Sequence, residues 1–496
     1  MLGEVFERFV EKSPISVMVR ASLERVLSAD RLDLWYERTA QKQYTRELLF
    51  SSVYDLMNQV VFCMQPSVRA AYQAQKDDVG TSLVSVYNKL NGLETHTSAE
   101  LVRYSAREFA PLIEEMGGER TPWLEDYHVK IVDGHCLEAS EHRIKELREA
   151  AGRALPGKSL VVYEPAVGLV SDVLPCEDGH AQERSLFGTL LKTVESGDLW
   201  IADRNFCTRE FLGAIDNRGA FFVTREHQGL PLEMLTPLRS CGRTSTGQGA
   251  QQRVCVVDPQ GHKHTFRRLR ITLNEATRDG ATLLFILTNL PRQISAKRVA
   301  ELYRKRWTLE TAFKHLEAYF HSEINTLGYP KAALFGFCLA LVAYNVLAVL
   351  LAALRSVHGE ETVDEEVSLY YIAHEISMTY HGMMIAIPER EWEVFYAMSP
   401  AELAAIFVEL ARGVRLQAFR KSPRRPQKPR SQDKKPARQG HVSTAKWLRN
   451  RGVKYLTPCG RTVLVHHVPG SLPPRPQTRS PVSASCIMGL SPSPFA

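Results

Sequence analysis

Between Ala332 and Leu354 the chain reads "AALFGFCLALVAYNVLAVLLAAL", 23 residues without a charge. A run this apolar must be hidden from water, and it is long enough to cross a bilayer. Its composition points to a protein core instead. It is rich in alanine, it contains Gly336 and Asn345, and no second run of its kind accompanies it. The expectation is a buried helix around which other elements pack, with no membrane partner. At 496 residues, 44% of them apolar, the chain has material for roughly two to four such packed domains.

Nine cysteines are scattered with none in a C-x-x-C pair, which fits a reducing cytoplasm and neither a disulfide framework nor a structural zinc site. The opening "MLGEVFERFVEKS" is charged throughout and has no apolar signal core, so a cytoplasmic location is expected. The net charge of +7 is unevenly placed. Arg412 to Lys454 holds 15 Lys or Arg against Asp433 alone, a net of +14, so the rest of the chain is at −7. Prolines interrupt this run ("RKSPRRPQKPRSQDKKPARQ"), as in a disordered polycation suited to phosphate backbones.

The elements divide the chain. Residues 1–126 read as helices, and "THTSAELVRYSAREF" has Thr97 and Glu100 in capping-box spacing. Upstream, "DDVGTSLVSVYNKLNGLE" has the form of a weak helix-turn-helix, suited to a DNA-end-binding domain. "YHVKIVDGHCLE" and "SLVVYEPAVGLVSDVLP" read as strands, followed by a helix near Glu183 to Ser196, the strand "LWIAD", a helix from about Thr208 to Asn217 and the strand "AFFVTR". Residues 226–281 look like a β-rich insertion before "TLLFILTNL" resumes the sheet. The expected class is therefore mixed α/β: a catalytic domain over 127–360, a helical region over 361–411 and a basic, largely disordered tail over 412–496.

Two carboxylates end apolar strands, Asp133 in "IVDG" and Asp203 in "LWIADRNF". Strand ends are where an α/β sheet presents ligands. A third, Glu310, lies in "AELYRKRWTLETAFKHLEAYF", which reads as one helix. There Tyr303, Arg306, Glu310 and Lys314 share a polar stripe, and Leu302, Leu309, Phe313, Leu316 and Phe320 form the apolar one. Three hard oxygen ligands without His or Cys suit Mg²⁺ or Mn²⁺, and two such ions fit phosphodiester chemistry. Arg306 and Lys314, a turn either side of Glu310, are placed to hold flanking phosphates, with Tyr303 adding a hydroxyl.

Asp133, Asp203 and Glu310, set in "VDG", "IADRNF" and "YRKRWTLETAFK", resemble the catalytic triad of DDE transposases with an RNase H-like core. Tyr303, Arg306 and Glu310 are similar to the Y-x2-R-x3-E part of the Y-x2-R-x3-E-x6-K signature in the bacterial insertion-sequence-four group. The resemblance covers about Tyr127 to Leu354. It implies a homodimer that binds terminal inverted repeats in double-stranded DNA, frees a 3′-hydroxyl and joins it to target DNA. The metal ligands would be Asp133, Asp203 and Glu310, and the DNA contacts Tyr303, Arg306 and Lys314. It also implies a bacterial, nucleoid-associated protein.

Two departures stand out. The signature's last Lys falls on Glu317, so Lys314 is the nearest cation, able either to neutralise Glu317 or to hold phosphate. The insertion lacks the Trp that some relatives stack on a flipped base, leaving Phe266 beside Arg267 and Arg268 as its one aromatic, while Trp307 reads as a core residue. A metal-dependent nuclease without strand transfer and a non-catalytic DNA-binding descendant are the alternative functions.

Overall fold

The computed structural model describes residues 3–42, 47–137, 153–277, 280–324, 326–422 and 441–450. In chain order its strands are β1 (His128–Leu137), β2 (Arg153–Leu155), β3 (Gly157–Glu164), β4 (Leu169–Cys176), β5 (Asp198–Ala202) and β6 (Phe221–Arg225). The inserted segment supplies β7 (Glu233–Met234), β8 (Arg239–Arg243), β9 (Gly247–Val257) and β10 (Lys263–Leu273), before β11 (Leu283–Thr288) and the distant β12 (His441–Ser443).

One sheet runs β4-β3-β1-β5-β6-β11-β10-β9-β7, with β8 also on β9. β1, β3 and β4 are an antiparallel set, and β5 and β6 add to β1 in parallel. That meander with parallel strands beside its first member is the RNase H-like arrangement, so the fold class is mixed α/β with an RNase H-like sheet. The expected strand "SLVVYEPAVGLVSDVLP" is a hairpin, because Gly168 takes φ +77 in the turn between β3 and β4. The insertion does not form a sheet of its own: β10 pairs antiparallel to both β11 and β9, extending the central sheet.

Alternation along the strands sends side chains to two cores. Ile131, Leu199, Ile201 and Val223 join the larger one with most of the helices, whereas Val132, Trp200, Ala202 and Phe222 join a second with Phe187, Phe206 and Phe211. The expected Glu183 to Ser196 helix is three short helical turns, Glu183–Leu186, Phe187–Leu190 and Leu191–Thr193, against that second core.

The uncharged run lies in a helix, Pro330–His358, whose most apolar window is 89% buried within the protein. Helices Pro14–Leu27, Phe50–Val61, Thr95–Glu115 and Pro400–Gly413 pack on it and share the larger core. The helices of residues 1–126 therefore have no separate core, as a stand-alone N-terminal domain would need. The helix-turn-helix candidate resolves into Lys76–Val79, only 4 residues, and Leu83–Gly92, which packs on the same central helix.

Residues 412–422 are packed, not part of a free tail. Val414 and Phe419 are buried, the Ser368 N–H donates to the Phe419 carbonyl at 2.7 Å, and the Lys421 ammonium caps the carbonyls of Asp364 and Glu365 at 2.8 and 2.9 Å. Further on, β12 pairs with β2 and the Ser443 hydroxyl donates to Asp178 at 2.6 Å. The apolar residues of this basic run, Val414, Leu416, Ala418 and Phe419, are too few to show a helical period, which is why the expected boundary at 412 falls inside a packed segment. The disorder expected of the polycation concerns 423–440 and 451–496, which lie outside the described residues.

Glu375, on the Leu369–Ala386 helix, has a buried carboxylate oxygen without a partner, and burial pushes its pKa from 4.5 up to about 7. Between those pH values the unfolded chain has released a proton that the folded chain still holds, so the group's contribution to stability falls as pH rises and is lost above about 7. Glu375→Gln is therefore expected to raise the melting temperature over wild type by roughly 2–4 °C at pH 8, with the difference closing towards pH 4. Parallel melting curves across that range would remove Glu375 as the cause.

Candidate active site

β1 and β5 last pair with each other at Val132 and Ala202, so Asp133 and Asp203, 70 positions apart in sequence, follow side by side; Asp203 lies just past the end of β5, but Asp133, expected at a strand end, lies within β1, which runs on to Leu137 paired with β3. The next strand continues the row: Ala202 pairs with Thr224, which puts Arg225 beside Asp203. Asp133 shares the parity of Ile131 and His135, and His135 stacks on Phe337 at 4.8 Å, so this row looks towards the helical side of the sheet. Two local bonds shape the aspartates. The Gly134 N–H donates to Asp133 Oδ1 at 2.9 Å, and the Asn205 N–H donates to Asp203 Oδ1 at 2.6 Å, making Asp203 the N-cap of a short helical turn.

Gly134 points the opposite way. A Cβ there would run into the Glu183 carboxylate, whose other oxygen accepts from the Asn205 side chain at 3.2 Å. Glu183 thus lies behind the site, bonded to Asn205 just after β5 and packed against Gly134 within β1, a role that its place in an expected helix did not suggest.

The expected continuous helix is broken. It ends at Arg304 and restarts at Trp307, with tight turns through Lys305 and Arg306. No Gly or Pro marks the break. Three successive cations are drawn to different partners instead: Arg304 to the Ser245 hydroxyl at 2.9 Å, Lys305 over the Trp123 ring at 4.5 Å, and Arg306 inward. Tyr303 and Glu310 therefore do not share one straight stripe. They converge because Arg306 sits in the turn.

The Arg306 guanidinium donates Nη1 to Asp133 Oδ2 at 2.7 Å and Nη2 to Glu310 Oε1 at 2.5 Å, with its side chain 11% exposed. Burial pushes the Asp133 pKa up to about 6 against the pull of Arg306, and the nearby charges of Asp203 and Glu310 add to the rise. Burial works against the Arg306 charge, but Asp133, Tyr303 and Glu310 more than offset it and hold its pKa above the usual value. Burial likewise raises the Tyr303 pKa, opposed by Arg306 and Arg225, so the phenol stays a neutral donor.

Lys314 and Glu317 are both exposed and make no ion pair with each other, so of the two alternatives neutralisation of Glu317 is not the one seen. Phe266 is 1% exposed, edge-on to Phe222 at 4.9 Å, so it offers no face to a base. Its neighbours are engaged as well: Arg267 caps the carbonyls of Leu290, Pro291 and Ile294, and Arg268 forks onto Glu226. Trp307, expected in the core, is 59% exposed, because the helix restarts there and turns it outward. Sequence reasoning missed Arg225, which ends "AFFVTR" as Asp203 ends "LWIAD" and has no ion-pair partner among the described residues.

Residues 125–346, the span that holds this sheet row and the broken helix, match the family described as "Transposase DDE domain". Over that span the chain is similar to a DDE transposase domain. Over 202 residues it is 26% identical to a Sinorhizobium fredii protein named as transposase y4zB, covering 40% of this chain and 54% of that one. It is 23% identical over 238 residues to the Escherichia coli transposase for insertion sequence element IS421, covering 41% of this chain and 61% of the relative. The E. coli K12 protein named as transposase InsL, for element IS186A, matches at the same identity and coverage. The chain thus spans about half to three-fifths of the length of these relatives.

DDE transposase domains use divalent metal ions. The donor set here, carboxylates alone, is the chemistry of a hard divalent ion. Among the described residues, no three Asp, Glu, His or Cys side chains stand close enough to hold one ion as placed. Between Asp133 and Glu310 stands a guanidinium.

Proposed function

We propose that the protein is the transposase of an insertion sequence, binding the element's terminal inverted repeats and catalysing DNA cleavage and strand transfer. The observation that carries this is the row Asp133, Asp203, Arg225 on three adjacent strands, level with the ends of β5 and β6, with Glu310 brought to Asp133 through Arg306. Asp133, Asp203 and Glu310 would hold two Mg²⁺ or Mn²⁺ ions. Such ions supply an activated water or 3′-hydroxyl and stabilise the leaving oxygen.

The chain's other residues bind and orient the DNA. Arg225 extends the row with an uncommitted guanidinium, Tyr303 donates a hydroxyl, and exposed Lys314 holds a flanking phosphate one turn beyond Glu310. The partners are the element's ends and its target DNA, the working form is a homodimer holding two ends, and the location is the bacterial cytoplasm at the nucleoid. The test is a strand-transfer assay with pre-cleaved ends cut from the DNA flanking the gene. Joined products with Mg²⁺ are expected. Hydrolysis without joining would make the protein a nuclease, and binding with neither reaction would make it a DNA-binding descendant.

Arg225→Ala is expected to weaken end binding about tenfold and to shallow the salt dependence by about one phosphate contact, a slope change of roughly 0.9. The melting temperature should hold, because Arg225 has no ion pair to lose. An unchanged slope in filter-binding titrations would take Arg225 out of the interface.

A further inference from the structure

We propose that Arg306 is a built-in counter-cation, filling the metal place between Asp133 and Glu310 until DNA phosphate draws it away, so that end capture and metal loading are coupled. This rests on reading Asp133, Asp203 and Glu310 as the metal ligands. The guanidinium occupies the space between the two carboxylates that a shared ion would need. Each nitrogen of the fork takes one carboxylate oxygen, at 2.7 and 2.5 Å, and the second oxygen of Asp133 already accepts from the Gly134 N–H. A divalent ion entering there meets a positive charge and oxygens that already accept hydrogen bonds.

The arrangement also gives a reason for burying an arginine here. Two carboxylates on one small surface repel each other, and a guanidinium that bridges them relieves this as an ion would. Arg306 lies in the turn between two helices and not within one, so its side chain can swing outward without unwinding either. Phosphate offers the same fork a bidentate partner. Drawing Arg306 onto phosphate frees Asp133 and Glu310 together. By linkage, whatever factor DNA adds to metal affinity, metal adds to DNA affinity. The site is thereby kept from loading metal, and from cutting, before an end is in place.

The test is calorimetric titration of the full-length protein with Mn²⁺, without DNA, for wild type, Arg306→Gln and Arg306→Ala. Removing the competing charge is expected to tighten Mn²⁺ about tenfold in both variants, while end-DNA affinity falls. In wild type, a duplex cut from the gene's flanking DNA, titrated with non-catalysing Ca²⁺, should tighten the ion by a similar factor. In Arg306→Gln it should not. If either variant binds Mn²⁺ no better than wild type, or more weakly, Arg306 organises the ligands and the proposal is wrong. Should both variants fail to fold, the wild-type arm still decides, because Ca²⁺ affinity indifferent to DNA overturns the coupling. Asp133→Asn is the control for the underlying reading. Unchanged Mn²⁺ binding in that variant would show that the ligands are misassigned and would take the proposal with it, whereas lost Mn²⁺ binding beside an unaltered Arg306→Gln would refute the coupling alone.

Discussion

Glu310→Gln is expected to lose Mg²⁺-dependent cleavage by on the order of 10³-fold or more, with end binding and folding nearly intact. The loss follows from charge. A glutamine amide is a poor ligand for a hard divalent ion, and the missing ligand is felt when negative charge gathers on the phosphate, several kcal/mol of transition-state stabilisation. The fold is spared because Glu310 is 38% exposed and its structural duty is one bond from Arg306, which the glutamine carbonyl can still accept. The measurement is single-turnover cleavage of a labelled end, with a melting curve and a binding isotherm on the same preparation. Asp133→Asn should fail to a similar degree, and the double variant should be little worse than either single one, as for residues acting as a unit. Cleavage within tenfold of wild type in Glu310→Gln would remove Glu310 from the site.

What was legible in the sequence divides by range. Asp133 and Asp203 could be read because each closes a short apolar run, although only Asp203 follows a strand's end; β1 continues past Asp133 to Leu137 against β3, and Asp133 is reached where its parallel neighbour stops. Glu310 could be read from helical spacing. The same strand-end rule reached Arg225 and would have found it, had a cation been sought where carboxylates were. The break at Lys305 and Arg306 could not be read, since it has no Gly or Pro and arises from contacts to Ser245, Trp123, Asp133 and Glu310 far off in the chain. Misreading it carried Trp307 into the core. The burial of Phe266 was hidden for a related reason. "KHTFRRLRITL" puts Phe266 on one core and Leu269 and Ile271 on the other, with arginines on both faces, so alternation does not tell which side is wet. The shared core of the early helices with Pro330–His358 is equally non-local.

Asn345→Leu is expected to destabilise the protein by about 2–3 kcal/mol, although it makes an already apolar helix more so. Asn345 is fully buried, and its amide works as a piece of substitute strand: Oδ1 accepts from the Val170 N–H at 2.8 Å, and Nδ2 donates to the Val170 carbonyl at 3.0 Å and to the Ser105 hydroxyl at 3.0 Å. Val170 lies on β4, which ends the sheet, so its outward backbone groups have no strand to meet. Leucine has the same branched shape, with bulkier methyls, and gains up to about 2 kcal/mol of apolar transfer, but it leaves that N–H and C=O buried and unpaired at roughly 1–3 kcal/mol each. Ser105 is a built-in control: it also donates to the Val102 carbonyl at 2.8 Å, so Ser105→Ala should cost under about 1 kcal/mol. Urea titration decides it, with a lower midpoint and unchanged slope expected for Asn345→Leu. The result also separates the two fates open to the run Ala332–Leu354. In a bilayer the asparagine would be the expensive residue and its replacement by leucine would help insertion; against the edge of β4 it is the residue that lets so apolar a helix sit beside exposed backbone, and only there does removing it do harm.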